Sequence, residues 1–197
     1  MEFILASASS RRKNLFAKLV EDFEVVVSNF KEENVIEDML PKKLVKVLAA
    51  GKAKDVLTRE GNEGKIVIGA DTVVTYNNEI LGKPRRDSEA VEMLKTLSGT
   101  KHIVYTGVCI AFMEKGEIKT LSCVDKTVVY FETLTDEFIK EYVASGSPRD
   151  KAGAYGIQDG NLVKGIKGSY TNVVGLPLEK MEKLLAKLKK RLEKASK

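Results

Sequence analysis

FILASASSRRKNLFAKLV, residues 3–20, reads as a strand, a polar turn and a helix in immediate succession. Phe3, Ile4, Leu5 and Ala6 form a short apolar run, whereas Leu15, Phe16, Leu19 and Val20 recur at helical spacing. Between them stand Ser7, Ser9 and Ser10, followed by Arg11 and Arg12. The first backbone N–H groups of a helix lack partners within it, so hydroxyls and guanidinium groups gathered there can form an anion site. The other reading is that Ser9 or Ser10 caps the helix and both arginines lie in solvent.

Working outward, the chain alternates strand and helix patterns. Residues 23–28 read as a strand, and Pro41 opens a helical stretch to about residue 60 with Leu44, Val47, Leu48 and Val56 on it. Residues 65–70 read as a buried strand that ends at Asp71 and Thr72. An extended stretch, 73–76, follows before an Asn77-Asn78 turn. Asp87 or Ser88 can cap a helix ending near Gly99. Residues 102–113 and 118–131 then form two long strand patterns of a hairpin. A helix over 136–145, a glycine-rich loop over 146–160, a strand over 161–167 and a last helix from Pro177 complete the order. No repeat or linker interrupts it, so residues 1–197 are expected to form a single α/β domain with a mixed sheet flanked by helices, in two lobes around a cleft.

Composition narrows the function. The 197 residues are 43% hydrophobic and carry a net charge of +5. From Glu179 onward eight basic residues face three acidic ones, so the whole excess belongs to one amphipathic helix bearing Met181, Leu184, Leu185, Leu188 and Leu192. A solvated basic face is the expectation there, with neither nucleic acid nor membrane as partner. No apolar run is long enough to span a bilayer, and the N-terminus carries no secretion pattern. Cys109 and Cys123 lack zinc or disulfide spacing and fit reduced core residues. The expected location is cytoplasmic.

The familiar catalytic templates are absent. No Walker A loop, nucleophile elbow, zincin motif or dinucleotide fingerprint occurs, and the sole histidine, His102, lies among apolar residues and reads as structural. What stands out is polarity where a core is expected. Asp71 follows the apolar run KIVIGA, at a strand end where open α/β sheets place ligands. A carboxylate there can hold a divalent cation and take a proton from water, although an Asp at a strand end is also an ordinary turn residue. Lys52, Lys83 and Lys151 are unremarkable singly. Gly153, Gly156 and Gly160 punctuate the loop around Gln158, the one glutamine of the chain, and let backbone approach a ligand closely.

Taken together, LASASSRR, VIGADTVV, LGKPRRD, LSGTKHIVYTGV, SGSPRDKAGAYGIQDG and GSYTNVVGLPL resemble, in order and spacing, the Maf family of nucleoside triphosphate pyrophosphatases. The resemblance spans nearly the whole chain. It implies a twisted mixed sheet with a cleft, similar to the inosine triphosphate pyrophosphatase fold, and hydrolysis of a nucleoside triphosphate to monophosphate and pyrophosphate. It also implies roles. Ser7, Arg11, Arg12, Lys52 and Lys83 match phosphate-binding positions, Lys151 joins them as a substrate contact, and Asp71 matches the proton acceptor. Glu33, or Glu32 beside it, falls at an acidic pair that with Asp71 holds a divalent cation, magnesium or manganese. Arg11, Thr72 and Gln158 match positions linked to base choice in the branch acting on dTTP and UTP; the sister branch acting on 7-methyl-GTP tends to carry tryptophan and glutamate at the positions of Arg11 and Gln158. The implied partner is the nucleoside triphosphate, and the resemblance admits a homodimer. Two departures are visible: Ser10 stands where the family usually has proline, and Asp159 where glycine is common. The competing class is a non-catalytic nucleotide-binding protein acting on septum formation.

Overall fold

The computed structural model describes residues 1–32 and 39–195. In chain order its elements are β1 (Phe3–Ala6), α1 (Ser10–Phe16), β2 (Glu24–Val25), α2 (Pro41–Leu57), β3 (Ile66–Tyr76), β4 (Glu79–Leu81), α3 (Asp87–Leu97), β5 (Lys101–Glu114), β6 (Glu117–Phe131), α4 (Asp136–Ala144), β7 (Val163–Lys167), α5 (Tyr170–Val174) and α6 (Leu178–Ala195). The strands form one mixed sheet in the order β2-β1-β3-β5-β6-β7, with β4 also paired to β3. β1 runs parallel to β2 and β3, whereas β4 is antiparallel to β3 and β7 to β6. The fold is therefore α/β with a mixed sheet and flanking helices, and its described helices include none long and apolar enough to cross a membrane.

Local chemistry accounts for the turns. Asn77 and Asn78 both have positive φ, as do Lys115 and Gly116, which matches the two-residue hairpin turns that suit twisted strands. The first of these turns creates β4, a three-residue strand too short to carry a period in sequence. α2 opens with Pro41 in its first turn, where a missing N–H costs nothing. α1 is shorter than its apolar spacing predicts, ending at Phe16, and β2 keeps only two residues of the expected 23–28 strand. Val25 and Val27 are exposed, while Phe23 packs edge-on against Phe16 and Val26 against the core. α3 starts at Asp87, but its cap position is Arg86; Asp87 instead accepts Arg149 Nε at 3.1 Å and Nη2 at 3.0 Å.

The chain divides into two compact units. The first comprises Met1–Asp71, Thr106–Asp125 and Gly175–Lys197. Its core packs Ala49, Ala53, Val56 and Leu57 of α2 against Ile4, Ala6, Val67, Cys109 and Ala111 of the strands. Val45, Ala49 and Ala53, four residues apart, form one row on α2. This row meets two glycines: a Cβ on Gly69 of β3 would lie 2.2 Å from the Ala49 carbonyl oxygen, and one on Gly107 of β5 would lie 2.3 Å from that of Val45. Only glycine permits helix and strand backbones to come so close. α6 buries Met181, Leu184 and Leu188 while Lys187, Lys190 and Lys194 are exposed. Replacing those three lysines with glutamine should leave melting temperature and turnover unchanged, whereas Leu188→Ala should cost about 2–5 kcal/mol in chemical denaturation.

The second unit comprises Thr72–Tyr105 and Lys126–Val174. Leu94, Leu97, Ile139 and Val143 of α3 and α4 pack there with Val74, Val104, Val129, Phe131 and Leu162. His102 is a core residue: its Nε2 lies 2.7 Å from the Tyr155 hydroxyl, and its ring meets Phe131 and Tyr155 edge-on. Burial pushes its pKa down to about 4, so it remains neutral at physiological pH. Cys109 and Cys123 are free thiols that burial pushes up to about 12 and about 11, leaving little thiolate.

Candidate active site

β1 ends at Ala6, opposite Gly69 of β3, and the chain turns through hydroxyls. Ser7 is buried and its Oγ accepts the Ser9 N–H at 3.2 Å; Ser9 Oγ in turn accepts the Arg12 N–H at 3.4 Å and caps α1. Arg11 and Arg12 therefore occupy the first turn of α1, both half-buried. The solvent reading of these arginines does not describe Arg12, whose Nε donates to the Gly175 carbonyl at 2.9 Å.

Asp71 lies two residues beyond the β1 pairing, at the carboxyl end of the parallel strands. It sits inside β3, where the sequence pattern suggested a strand end. A charged residue inside a buried strand requires a partner. Lys52 supplies it: Nζ lies 2.6 Å from Asp71 Oδ1 and 2.6 Å from Glu32 Oε1. The Asp71 and Lys52 side chains are only 10% and 15% exposed, so little water screens this contact. Burial pushes the Asp71 carboxyl above the usual carboxylate range, Lys52 and Arg12 pull it back, and Glu32 adds a small push upward. Burial likewise lowers Arg12, with Asp71 opposing.

Asp71 and Glu32, both paired here with the Lys52 ammonium, are the described carboxylates that could hold a hard divalent cation, since magnesium is commonly bound by one or two carboxylates together with substrate phosphates. Among the described residues no three His, Cys, Asp or Glu side chains gather for a metal. Glu33 lies outside the described residues.

The remaining sequence-selected residues belong to the second unit. Thr72, half-buried, follows Asp71 on β3, and Lys83 is exposed in the segment between β4 and α3. The loop 146–160 folds as three 3₁₀ turns over Ser147–Asp150, Ala152–Ala154 and Ile157–Asp159. Lys151 is buried there, and its Nζ donates to the Ser147 carbonyl at 2.5 Å, Ser147 Oγ at 3.0 Å and Asp150 Oδ1 at 2.9 Å. Asp159 Oδ2 accepts the Tyr142 and Ser147 hydroxyls, each at 2.6 Å. Gln158 is exposed on the same turn, with its amide folded against Gly156. Tyr142 and Ser147 were not selected from sequence; their hydroxyls order the turn that presents Gln158, and only the fold shows this.

Residues 2–188 match the Maf-like protein family model. A dTTP/UTP pyrophosphatase of Clostridium kluyveri is 49% identical over 188 residues, covering 94% of this chain and 97% of the relative. Its namesake in Clostridium beijerinckii is 45% identical over 190 residues, covering 95% and 100%. Among solved structures a HAM1 protein from Coxiella burnetii aligns with a TM-score of 0.50 and 15% identity over 95% of this chain and 99% of that one, a likeness of fold alone. The chain belongs to the Maf-like protein family.

Proposed function

We propose that this protein hydrolyses dTTP and UTP to the monophosphate and pyrophosphate. The observation that carries the reading is a buried carboxylate, Asp71, held by Lys52, in a chain 49% identical to a dTTP/UTP pyrophosphatase along nearly its full length. In this mechanism Asp71 takes a proton from the attacking water. The new P–O bond forms on the α-phosphate as the α–β anhydride bond breaks, and pyrophosphate leaves with the electron pair. Burial lifts the Asp71 carboxyl above the usual carboxylate range, which favours proton acceptance, while Lys52 and Arg12 oppose the shift. Ser7, Arg11, Arg12 and Lys52, and by the family resemblance Lys83, are the groups proposed to hold the triphosphate, whose charge calls for cations. A magnesium or manganese ion held by Asp71 with Glu32 or Glu33 would neutralise phosphate charge as the anhydride breaks. Rates of pyrophosphate release from dTTP, UTP, CTP, GTP and 7-methyl-GTP with magnesium test the reading. dTTP and UTP should lead, and a preference for either guanine nucleotide contradicts it.

Gln158 contributes to the base preference together with Arg11 and Thr72; a flipped amide also answers cytosine, so Gln158 alone does not exclude CTP. Uracil and thymine present acceptor, donor, acceptor along the pairing edge, and a glutamine amide answers an adjacent pair with one donor and one acceptor. Guanine presents two neighbouring donors and calls for a carboxylate. Gln158→Glu should therefore weaken UTP hydrolysis by about 1–3 kcal/mol in kcat/KM through a repelled acceptor. Equal UTP activity in the variant would show that Gln158 does not read the base.

A further inference from the structure

Three contacts on one turn of α2 concern the segment that carries Glu32. Asp55 Oδ2 accepts the Ser28 hydroxyl at 2.8 Å, the Asn29 N–H at 2.8 Å and Arg59 Nη2 at 2.6 Å. Ser28 Oγ also accepts the Phe30 N–H at 3.0 Å, which closes the turn. The half-buried Phe30 ring lies on Gly51, where an added Cβ would come 2.4 Å from Cζ. Between Gly51 and Asp55 stands Lys52, bonded to Glu32. Gly51 breaks a local rule, since glycine inside a helix is less stable than alanine; the Phe30 ring explains what the missing side chain makes room for.

We propose that Gly51 and Asp55 are positioning residues that strap segment 28–32 onto α2 and thereby hold the Glu32 carboxylate beside Lys52 and Asp71. The inference rests on the proposed function for its catalytic consequence, and on the contacts above for the strap itself. Neither residue touches the reacting groups. Asp55 fixes the backbone of residues 28 and 29, Gly51 seats the Phe30 ring, and together they set where the chain delivers Glu32. Position i to i+4 places both on one side of the helix, so the strap crosses α2 next to Lys52.

The test uses the full-length protein with Asp55→Ala, Asp55→Asn and Gly51→Ala. Outer-shell partners typically change metal affinity by about 10- to 100-fold, so Asp55→Ala should weaken Mn²⁺ binding about tenfold, read from the free-ion paramagnetic resonance signal without nucleotide. It should raise the Mg²⁺ concentration for half-maximal UTP hydrolysis by a similar factor, with kcat at saturating Mg²⁺ within about twofold of wild type. The Asn29 and Phe30 amides should lose hydrogen-exchange protection. Asp55→Asn, which retains an oxygen for Ser28 and Asn29, should recover most of the loss. Gly51→Ala should keep or raise the melting temperature while displacing Phe30 and weakening Mn²⁺ binding, which separates the strap from helix stability. Unchanged Mn²⁺ affinity and unchanged exchange in both alanine variants would overturn the proposal. Should the wild type hydrolyse no triphosphate, the functional reading fails by itself, and the Mn²⁺ and exchange results still decide the strap.

Discussion

Asp71→Asn is expected to lower turnover of UTP and dTTP by at least about 100-fold, the lower range for a lost general base. The substitution keeps the shape of the side chain and removes the negative oxygen that accepts a proton. It also leaves Lys52 with Glu32 as its remaining carboxylate among these contacts, so the ammonium is not stranded. For that reason the variant should fold, and circular dichroism with thermal denaturation checks this before kinetics are compared. KM should move much less than kcat, because the Arg and Lys side chains proposed to hold phosphate are retained. Near-normal hydrolysis by a folded variant removes Asp71 from the mechanism.

The second large effect belongs to a residue with no side chain. Gly69→Ala places a methyl group 2.2 Å from the Ala49 carbonyl oxygen and 2.8 Å from the Ala53 nitrogen. Both are backbone atoms of α2, so no rotamer change can relieve the clash and the helix must move outward. Overpacking of this kind costs about 1–3 kcal/mol, and the upper end is expected here because the obstruction is rigid. A melting temperature lower by roughly 6–12 °C follows at about 2–4 °C per kcal/mol. Activity should fall further than stability explains, since α2 carries Lys52 and Gly69 lies two residues before Asp71. At a temperature where the variant is fully folded, kcat should be reduced on the order of tenfold through the displaced ammonium. Gly165→Ala, with open space around its Cβ, serves as the control and should leave both quantities unchanged. A Gly69→Ala protein with wild-type melting and kcat would show that the close approach is not needed.

Much of this arrangement is legible in residue pattern. The apolar run before Asp71, the alternation of strands and helices, Pro41 opening α2 and the leucine spacing of α6 all depend on neighbours close in sequence, where periodicity carries information. The polar turn after β1 is legible for the same reason, and Ser9 caps α1 as one of its two readings has it. Elements shaped by distant partners are less so. Asp71 continues a strand instead of ending one, and the partner that lets its carboxylate be buried there, Lys52, lies 19 positions away. Asp87 starts α3 without capping it because Arg149, 62 positions on, takes its carboxylate. α5 has five residues and β4 three, too few to repeat a period. Lys151 looks like a surface lysine in sequence and is buried by the 3₁₀ turns around it. Gly51, Gly69 and Gly107 are the least legible of all, since a glycine that admits a neighbour and one that merely bends a loop are the same letter. The candidate site residues are readable by type, and the resemblance already sets Glu32 or Glu33 with Asp71, but the ion pairs that join Asp71 and Glu32 to Lys52 required the fold.

The measurement closest to the central claim is the identity of the products formed from UTP, followed by phosphorus NMR with purified protein and magnesium. Cleavage between the α- and β-phosphates predicts UMP and pyrophosphate in equal amounts from the first turnover, with dTTP behaving in the same way. Formation of UDP and inorganic phosphate, or no turnover of either pyrimidine nucleotide, would contradict it.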